Sequence, residues 1–284
     1  MMAITEAVIA AWLSTALLAT LGVIRYWLSV RTLSPVADPP SVAIIVAVKG
    51  AGARLPDFVD ALLRQIYPSF RVVMAVESRS DPAFAALKPL AHDSGGRIEL
   101  VIAGEASQCA QKVHNLLAAL ATLQPQDRAV VFADADILPS ADWLQQLIRP
   151  IALRRARVTS GYRWQIPADR KLASRIVALA DMSIATAARD SRWNLCWGGS
   201  TAIERGLLDA LDLPNRWARV ASDDLTLTKA LRMAGIPVHS TARALVPSPV
   251  SYSWSSVFSF GRRQYLLVRY YAPRHWLLAG WTLC

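Results

Sequence analysis

Two groups of carboxylates and one glycine pair are the residues of this sequence whose types and spacing can do chemistry. Asp134-Ala135-Asp136 closes an apolar run, Ala129 to Ala133. Residues i and i+2 of a strand face the same way, so the two carboxylates are expected on one face, about 7 Å apart at ~3.3 Å per residue. Paired carboxylates suit a hard dication such as Mg²⁺ or Mn²⁺, which keeps positions open for phosphate oxygens. A metal-bridged diphosphate is therefore the chemistry this pair points to; capping of a turn before Leu138-Pro139 is the bland alternative. Ser222-Asp223-Asp224 precedes the helical pattern LTLTKALRMAG. A serine N-cap with acids in the first turn is favourable in itself, and one of these acids can also be a general base that takes the proton of an attacking hydroxyl.

Four carboxylates around one cleft repel one another. Two of them ~5 Å apart at an effective dielectric of ~20 cost about 3 kcal/mol. A dication or nearby Lys and Arg must offset this, or one acid keeps its proton. Smaller candidates surround these. Glu77 ends an apolar run and can accept from a base or ribose. Lys112 and Asn115 lie at i and i+3 of a helical stretch, where Lys112 can meet a phosphate or simply be solvated. Trp197-Gly198-Gly199 offers an aromatic platform and bare backbone, suited to a sugar face or to a packed core.

The elements that must position these residues alternate. Val42 to Val48 is a continuous β-branched run of the kind buried on both faces of a parallel sheet. Arg71 to Val76, Ile98 to Ile102 and Ala129 to Ala133 read likewise. Between them, Leu55 to Ile66, a stretch begun by Asp81-Pro82 and Ser107 to Leu123 have helical character, and a helix begun by proline is expected after the second aspartate of the pair. Strand-helix alternation predicts an α/β sheet covered on both faces. Its ligands would lie beyond the carboxyl ends of the strands. Further on, a strand near Arg157 to Trp164, a helix over Asp169 to Arg189, a turn into a strand at Trp197 to Thr201, a helix from Ser222 and an extended Ile236 to Val246 are expected.

The 284 residues suffice for one large domain, and 54% of them are hydrophobic, above the globular norm. Part of the excess lies at the start: Ala7 to Ile24 carries no charge, near the lower limit for a membrane span, and Tyr26-Trp27-Leu28 extends it. A cleaved signal peptide fits less well, since Glu6 precedes the segment and no small-residue cleavage site follows. Arg25 and Arg31 behind it put the rest of the chain in the cytoplasm. A proline-rich linker, 34–41, follows. At the far end, Tyr252 to Tyr271 mixes Trp, Phe and Tyr with Arg262, Arg263 and Arg269, as an interfacial helix does. His275 to Cys284 is too short to span: it is the start of a membrane helix or lies on the surface. The formal charge of +10 favours lipid and nucleotide phosphates; no basic tract of the nucleic-acid kind occurs, so no nucleic acid is expected. Three scattered cysteines, Cys109, Cys196 and Cys284, offer neither zinc spacing nor a disulfide framework and fit a reducing compartment.

In this order the pieces resemble the inverting family 2 glycosyltransferases, most of all their ceramide-glucosyltransferase-like branch, over about Ser41 to Arg274. VAIIVAVKG is similar to that family's first strand with its basic residue, here Lys49. YPSFRVVMAVESRSDPA resembles the segment whose strand-end acid contacts the nucleotide base, here Glu77. KVHNL resembles its Lys-x-x-Asn stretch, FADADILP its metal-binding D-x-D, and SDDLTL the acidic motif whose last residue is the base.

The resemblance implies a GT-A-type, Rossmann-like, mixed and mostly parallel sheet in a catalytic domain over 42–250. A transmembrane anchor over 1–33 would precede it and an interfacial and membrane segment over 251–284 would follow. It further implies Asp136 and Asp134 as Mg²⁺ or Mn²⁺ ligands, Asp224 as base, and Asp223, Lys112, Asn115, Trp197 and Gly199 around a UDP-sugar. The acceptor would be a lipid hydroxyl at the cytosolic face of a bilayer, a bacterial inner membrane in the branch's bacterial members. The family's closing Q-x-x-R-W is replaced by Gly261-Arg262-Arg263-Gln264-Tyr265. Arg262 and Arg263 can still meet a diphosphate and Tyr265 can still stack, but the change favours single-sugar transfer over polymer synthesis. A polyprenyl-phosphate or polysaccharide acceptor, and a non-catalytic protein that keeps the fold, are the competing expectations.

Overall fold

In the computed structural model, residues 36–186 and 193–281 are described, together with isolated helical positions between 6 and 24. A seven-stranded sheet runs in the order β3-β2-β1-β4-β6-β5-β7. Its members are β1 (Val42–Ala47), β2 (Phe70–Val76), β3 (Ile98–Ile102), β4 (Ala129–Asp134), β5 (Val158–Pro167), β6 (Ser200–Glu204) and β7 (His239–Val250). Strands β3, β2, β1 and β4 pair in parallel. β6 runs antiparallel between β4 and β5, and β7 is parallel to β5. The sheet is thus mixed and mostly parallel, as the resemblance implies.

The central strands are apolar throughout because both faces are covered, and the two faces build separate cores. Ile44, Val72, Val131 and Trp143 lie in one, Ile45, Val73, Phe132 and Trp217 in the other. Helices α1 (Leu55–Leu63), α2 (Pro82–Asp93), α3 (Gln111–Leu120) and α4 (Trp143–Ala152) fill the connections of the first half. They are followed by α5 (Leu172–Thr186), α6 (Arg205–Ala210), α7 (Leu213–Trp217), α8 (Asp223–Met233), α9 (Trp254–Tyr271) and α10 (Pro273–Trp281).

Several expectations are corrected. β4 ends at Asp134 and Asp136 sits in the turn beyond it, so the same-face argument from strand alternation does not apply to the pair. The next helix starts at Trp143, not at Pro139. The buried Gln65 amide explains this, donating to Ser140 O (2.7 Å) and accepting from Leu144 N (2.9 Å), which holds the intervening loop out of the helix. α3 starts at Gln111 rather than Ser107 because the Gln111 side chain binds loop backbone at Gly104 O and Ala106 N. The short α6 and α7 carry no sequence periodicity long enough to announce them. The expected helix over Asp169 to Arg189 is α5, and 187–192 lie outside the described residues. The anchor over Ala7 to Ile24 falls largely outside them too; its described positions are helical. Among the described residues no helix is long and apolar enough to cross a membrane.

Candidate active site

The parallel strands deliver their carboxyl ends to one edge of the sheet. β1 and β4 pair in register up to Ala47 and Asp134, and β2 ends beside them at Val76. β6 runs the other way, so its first residue, Ser200, pairs with Ala133. The Trp197-Gly198-Gly199 turn that feeds β6 therefore arrives where β4 ends. The N-terminus of α8 faces the same place, with Ser222 as its N-cap, accepting from Leu225 N. Two further bonds fix that corner: Trp217 Nε1 donates to Asp223 O (3.1 Å), and Cys196 N donates to Thr228 Oγ1 (2.9 Å).

Lys112, from α3, sits at the centre. Its Nζ lies 2.8 Å from Asp134 Oδ1 and 3.3 Å from Asp223 Oδ1. Burial opposes its charge, but the carboxylates of Asp134, Asp223 and Asp224 overcome this and raise its pKa. Asp223 is 5% exposed. Burial first, then Asp224 and Asp134, push its pKa up to about 6 against the pull of Lys112. Asp224 is half-buried and points at the turn: Oδ2 accepts from Gly198 N (3.2 Å), while Oδ1 accepts from Ser222 Oγ (2.6 Å) and Leu225 N (2.7 Å). One lone pair of Oδ2 stays free for a further donor.

The two glycines are there for space. A Cβ on Gly198 would stand 2.7 Å from Asp223 Oδ2 and 2.9 Å from Lys112 Nζ. One on Gly199 would stand 2.4 Å from the Trp197 indole, which lies over it and tilts against Tyr162 at 5.7 Å.

Asp136 is exposed at the mouth of the site. Desolvation by surrounding protein, then the Asp134 carboxylate, raise its pKa, while Lys112 and Arg163 pull it down. Among the described residues no three His, Cys, Asp or Glu side chains converge on a metal position. The donor set that is present nevertheless fits a hard dication. Asp134 and Asp136 are two mutually repelling carboxylates, one of them open, and Mg²⁺ at phosphate sites takes one or two carboxylates and draws its other oxygens from phosphate and water.

The remaining candidates divide. Lys49 and Glu77, at the ends of β1 and β2, pair at 3.2 Å on the open edge. Asn115 is not open to a ligand: it is buried, donates to Ala75 O (3.2 Å) and accepts from Gln111 Nε2 (2.7 Å), tying α3 to the sheet. Arg262, Arg263 and Tyr265 lie exposed on α9, where the Tyr265 ring tilts against Trp276 at 5.4 Å.

After Lys112, Arg163 of β5, which the sequence did not single out, is the positive charge that pulls the Asp136 pKa down. Its Nε donates to the buried Asp181 of α5 at 3.0 Å, and its guanidinium lies over Phe260 of α9 at 5.1 Å. Arg163 and Asp181 are 18 residues apart on two different elements, so no local pattern joins them.

The whole sequence can be compared with known proteins once this geometry is in view. Residues 6–284 match the family described as Glycosyl transferase family 21. The chain belongs to that family. The family matched is thus 21 rather than family 2, whose motifs the sequence resembles; the ceramide-glucosyltransferase-like branch is compatible with the match and not specified by it. No curated protein matches the sequence.

Among solved structures, S. aureus TarS 1-349 superposes with a TM-score of 0.53 at 12% identity, over 74% of this chain and 60% of that one. GalNAc-T7 with UDP, GalNAc and Mn²⁺ gives 0.56 at 11%, over 76% and 44%. A mycobacterial protein gives 0.51 at 13%, over 81% and 74%. At such identities these likenesses show the fold, which is of the GT-A kind. The family-21 chain spans about 60% of TarS 1-349.

Proposed function

We propose that this glycosyltransferase transfers a sugar from a UDP-sugar, with inversion, to the hydroxyl of a membrane lipid such as a ceramide, hopanoid or diacylglycerol, at the cytosolic face of a bilayer. The observation that carries the reading is the cluster of Lys112, Asp134, Asp223 and Asp224 around the Gly198 turn, at the carboxyl edge of a GT-A sheet. Two structural relatives support the donor: TarS is known in complex with UDP-GlcNAc, and GalNAc-T7 with UDP, GalNAc and Mn²⁺.

Asp224 is the base. Of the two acids that open α8 it is the one not buried against Lys112, and its Oδ2 has a lone pair to receive a proton. The acceptor oxygen attacks the anomeric carbon from the side opposite UDP and its proton passes to Asp224. The bond from that carbon to the diphosphate oxygen breaks, and UDP leaves with the electron pair. Lys112, reached by the same cleft, places positive charge beside the diphosphate, and Glu77 with Lys49 borders the nucleoside end. A dication held by Asp134 and Asp136 would supply charge for the departing diphosphate. Trp197, on the turn, offers its ring to the sugar. The uncharged Ala7 to Ile24 supports a membrane anchor, and the aromatic, arginine-bearing α9 supports a lipid acceptor.

The test is UDP release by membranes carrying the protein, with a panel of UDP-sugars and lipid extract, with Mn²⁺ or a chelator. Release that requires lipid and metal, and vanishes in Asp224→Asn, is expected. UDP binding without release on any lipid would overturn it.

A further inference from the structure

Helix α5 is apolar on both of its faces. Its inward face carries Ala173, Val177 and Ala178 together with two polar residues, Ser174, fully buried, and Asp181, which takes the Arg163 guanidinium at 3.0 Å. On its outward face Leu172, Ile176 and Leu179 follow one another at helical spacing, with Leu172 62% and Leu179 66% exposed. A helix that is hydrophobic all round is a buried one, and exposed apolar stripes of this kind mark a covering partner.

The charges around the stripe are mostly positive, with Asp169 beside Lys171 as the exception. Arg175 lies on the outward face, and Arg170 and Lys171 precede the helix, all exposed; the one acid of α5, Asp181, is turned inward. The neighbouring α9, which touches α5, has no buried residue and shows Trp254, Phe258 and Tyr270 to the outside, with Phe258 74% exposed. From Ser251 to Cys284 the sequence contains four arginines and no acid. Aliphatic centre, aromatic flank and basic border together are the composition of a surface that sits in the headgroup layer.

We propose that α5 and α9 form one docking face for an anionic bilayer, with the outward stripe of α5 immersed at the acyl boundary and the arginines of both helices on lipid phosphates. This deepens the lipid-acceptor reading and rests on it for its purpose. α5 holds Arg163 of β5 through Asp181, so the lipid face is tied to the sheet through a single ion pair. A second copy of the chain is disfavoured by the mostly positive border, which would repel its own kind.

The experiment places a nitroxide at Leu179→Cys in the full chain, with Cys109 and Cys284 changed to Ser. Cys196 can stay, since burial pushes its thiol up to about 12 and keeps it unreactive. Lys88→Cys on α2 is the control. In phosphatidylcholine vesicles containing phosphatidylglycerol, collisions with oxygen should rise several-fold at 179 relative to a water-soluble nickel chelate, and not at 88. Leu172→Asp, an exposed change that the fold tolerates, should reduce that contrast.

A label at 179 that remains as open to the chelate as the one at 88 would overturn the proposal. So would a label shielded in detergent alone with spin-spin broadening between chains, which identifies a second copy. Should the label enter lipid while no lipid accepts sugar, the acceptor reading fails and the docking face stands.

Discussion

Lys112 Nζ lies 2.8 Å from Asp134 Oδ1, so the cation of α3 occupies the end of the very strand whose acids would meet a dication. With Asp223 3.3 Å away on its other side, this one ammonium is what allows three carboxylates to face each other without a ligand. Lys112→Met should therefore destabilise the ligand-free protein. A broken buried pair costs about 3–5 kcal/mol; Lys112 is 39% exposed, so solvent screening reduces this to about 1–2 kcal/mol. Because Mn²⁺ can replace part of the missing charge, thermal melts should show the variant gaining more than wild type from added metal. Equal gains would show that metal and lysine do not answer to the same acids.

Asp224→Asn removes the proton acceptor while its amide oxygen can still accept from Gly198 N. Transfer should fall by about 10²–10⁴-fold, the range for loss of a general base, with UDP affinity measured by calorimetry nearly unchanged. A matching loss of UDP affinity would give Asp224 a binding role instead of the base.

The sheet and the acids gathered at its carboxyl edge were legible because each rests on a local pattern. The buried runs at β1, β2 and β4 announced themselves by β-branched continuity, and Ser222 announced α8 by its cap. What was not legible depends on distant residues. Gln65 sets where α4 starts through bonds to Ser140 and Leu144, 75 and 79 positions away. Asn115 stands in a stretch that resembles a ligand motif, yet its amide is used up on the backbone at Ala75. Arg163 is held where β5, α5 and α9 meet, by Asp181 and under Phe260, partners that no local pattern joins to it.

The glycine turn makes a sharper contrast. Gly198→Ala drives a methyl between Asp223 and Lys112 at under 3 Å, so it should disrupt the cluster and reduce activity severely while leaving most of the fold intact. Gly206→Ala, in α6, has nothing within 4 Å of the new methyl and should stabilise by roughly 0.5–1 kcal/mol, the helical preference of Ala over Gly. Activity assays and denaturant titrations of both variants check this. A fully active Gly198→Ala would show that the turn can retreat and that the site is looser than its distances.

Asp223 gives the pH dependence its sign. Its folded pKa, about 6, stands above the ordinary carboxylate value of 3.8, so between those values the folded state binds the proton that the unfolded chain has released. Stability contributed by this group is then highest below about pH 4 and declines as pH rises toward 6, after which the ionised, buried carboxylate weighs on the fold in full. The difference of about two pKa units corresponds to roughly 3 kcal/mol at neutral pH. Asp223→Asn removes the titration while retaining a polar group beside Lys112. In metal-free buffer the variant should be more stable than wild type at pH 7, and its advantage should shrink steadily on acidification to pH 4. Urea titrations across that window measure the difference directly. An advantage that stays constant would mean that Asp223 does not titrate there and that Lys112 alone holds it ionised.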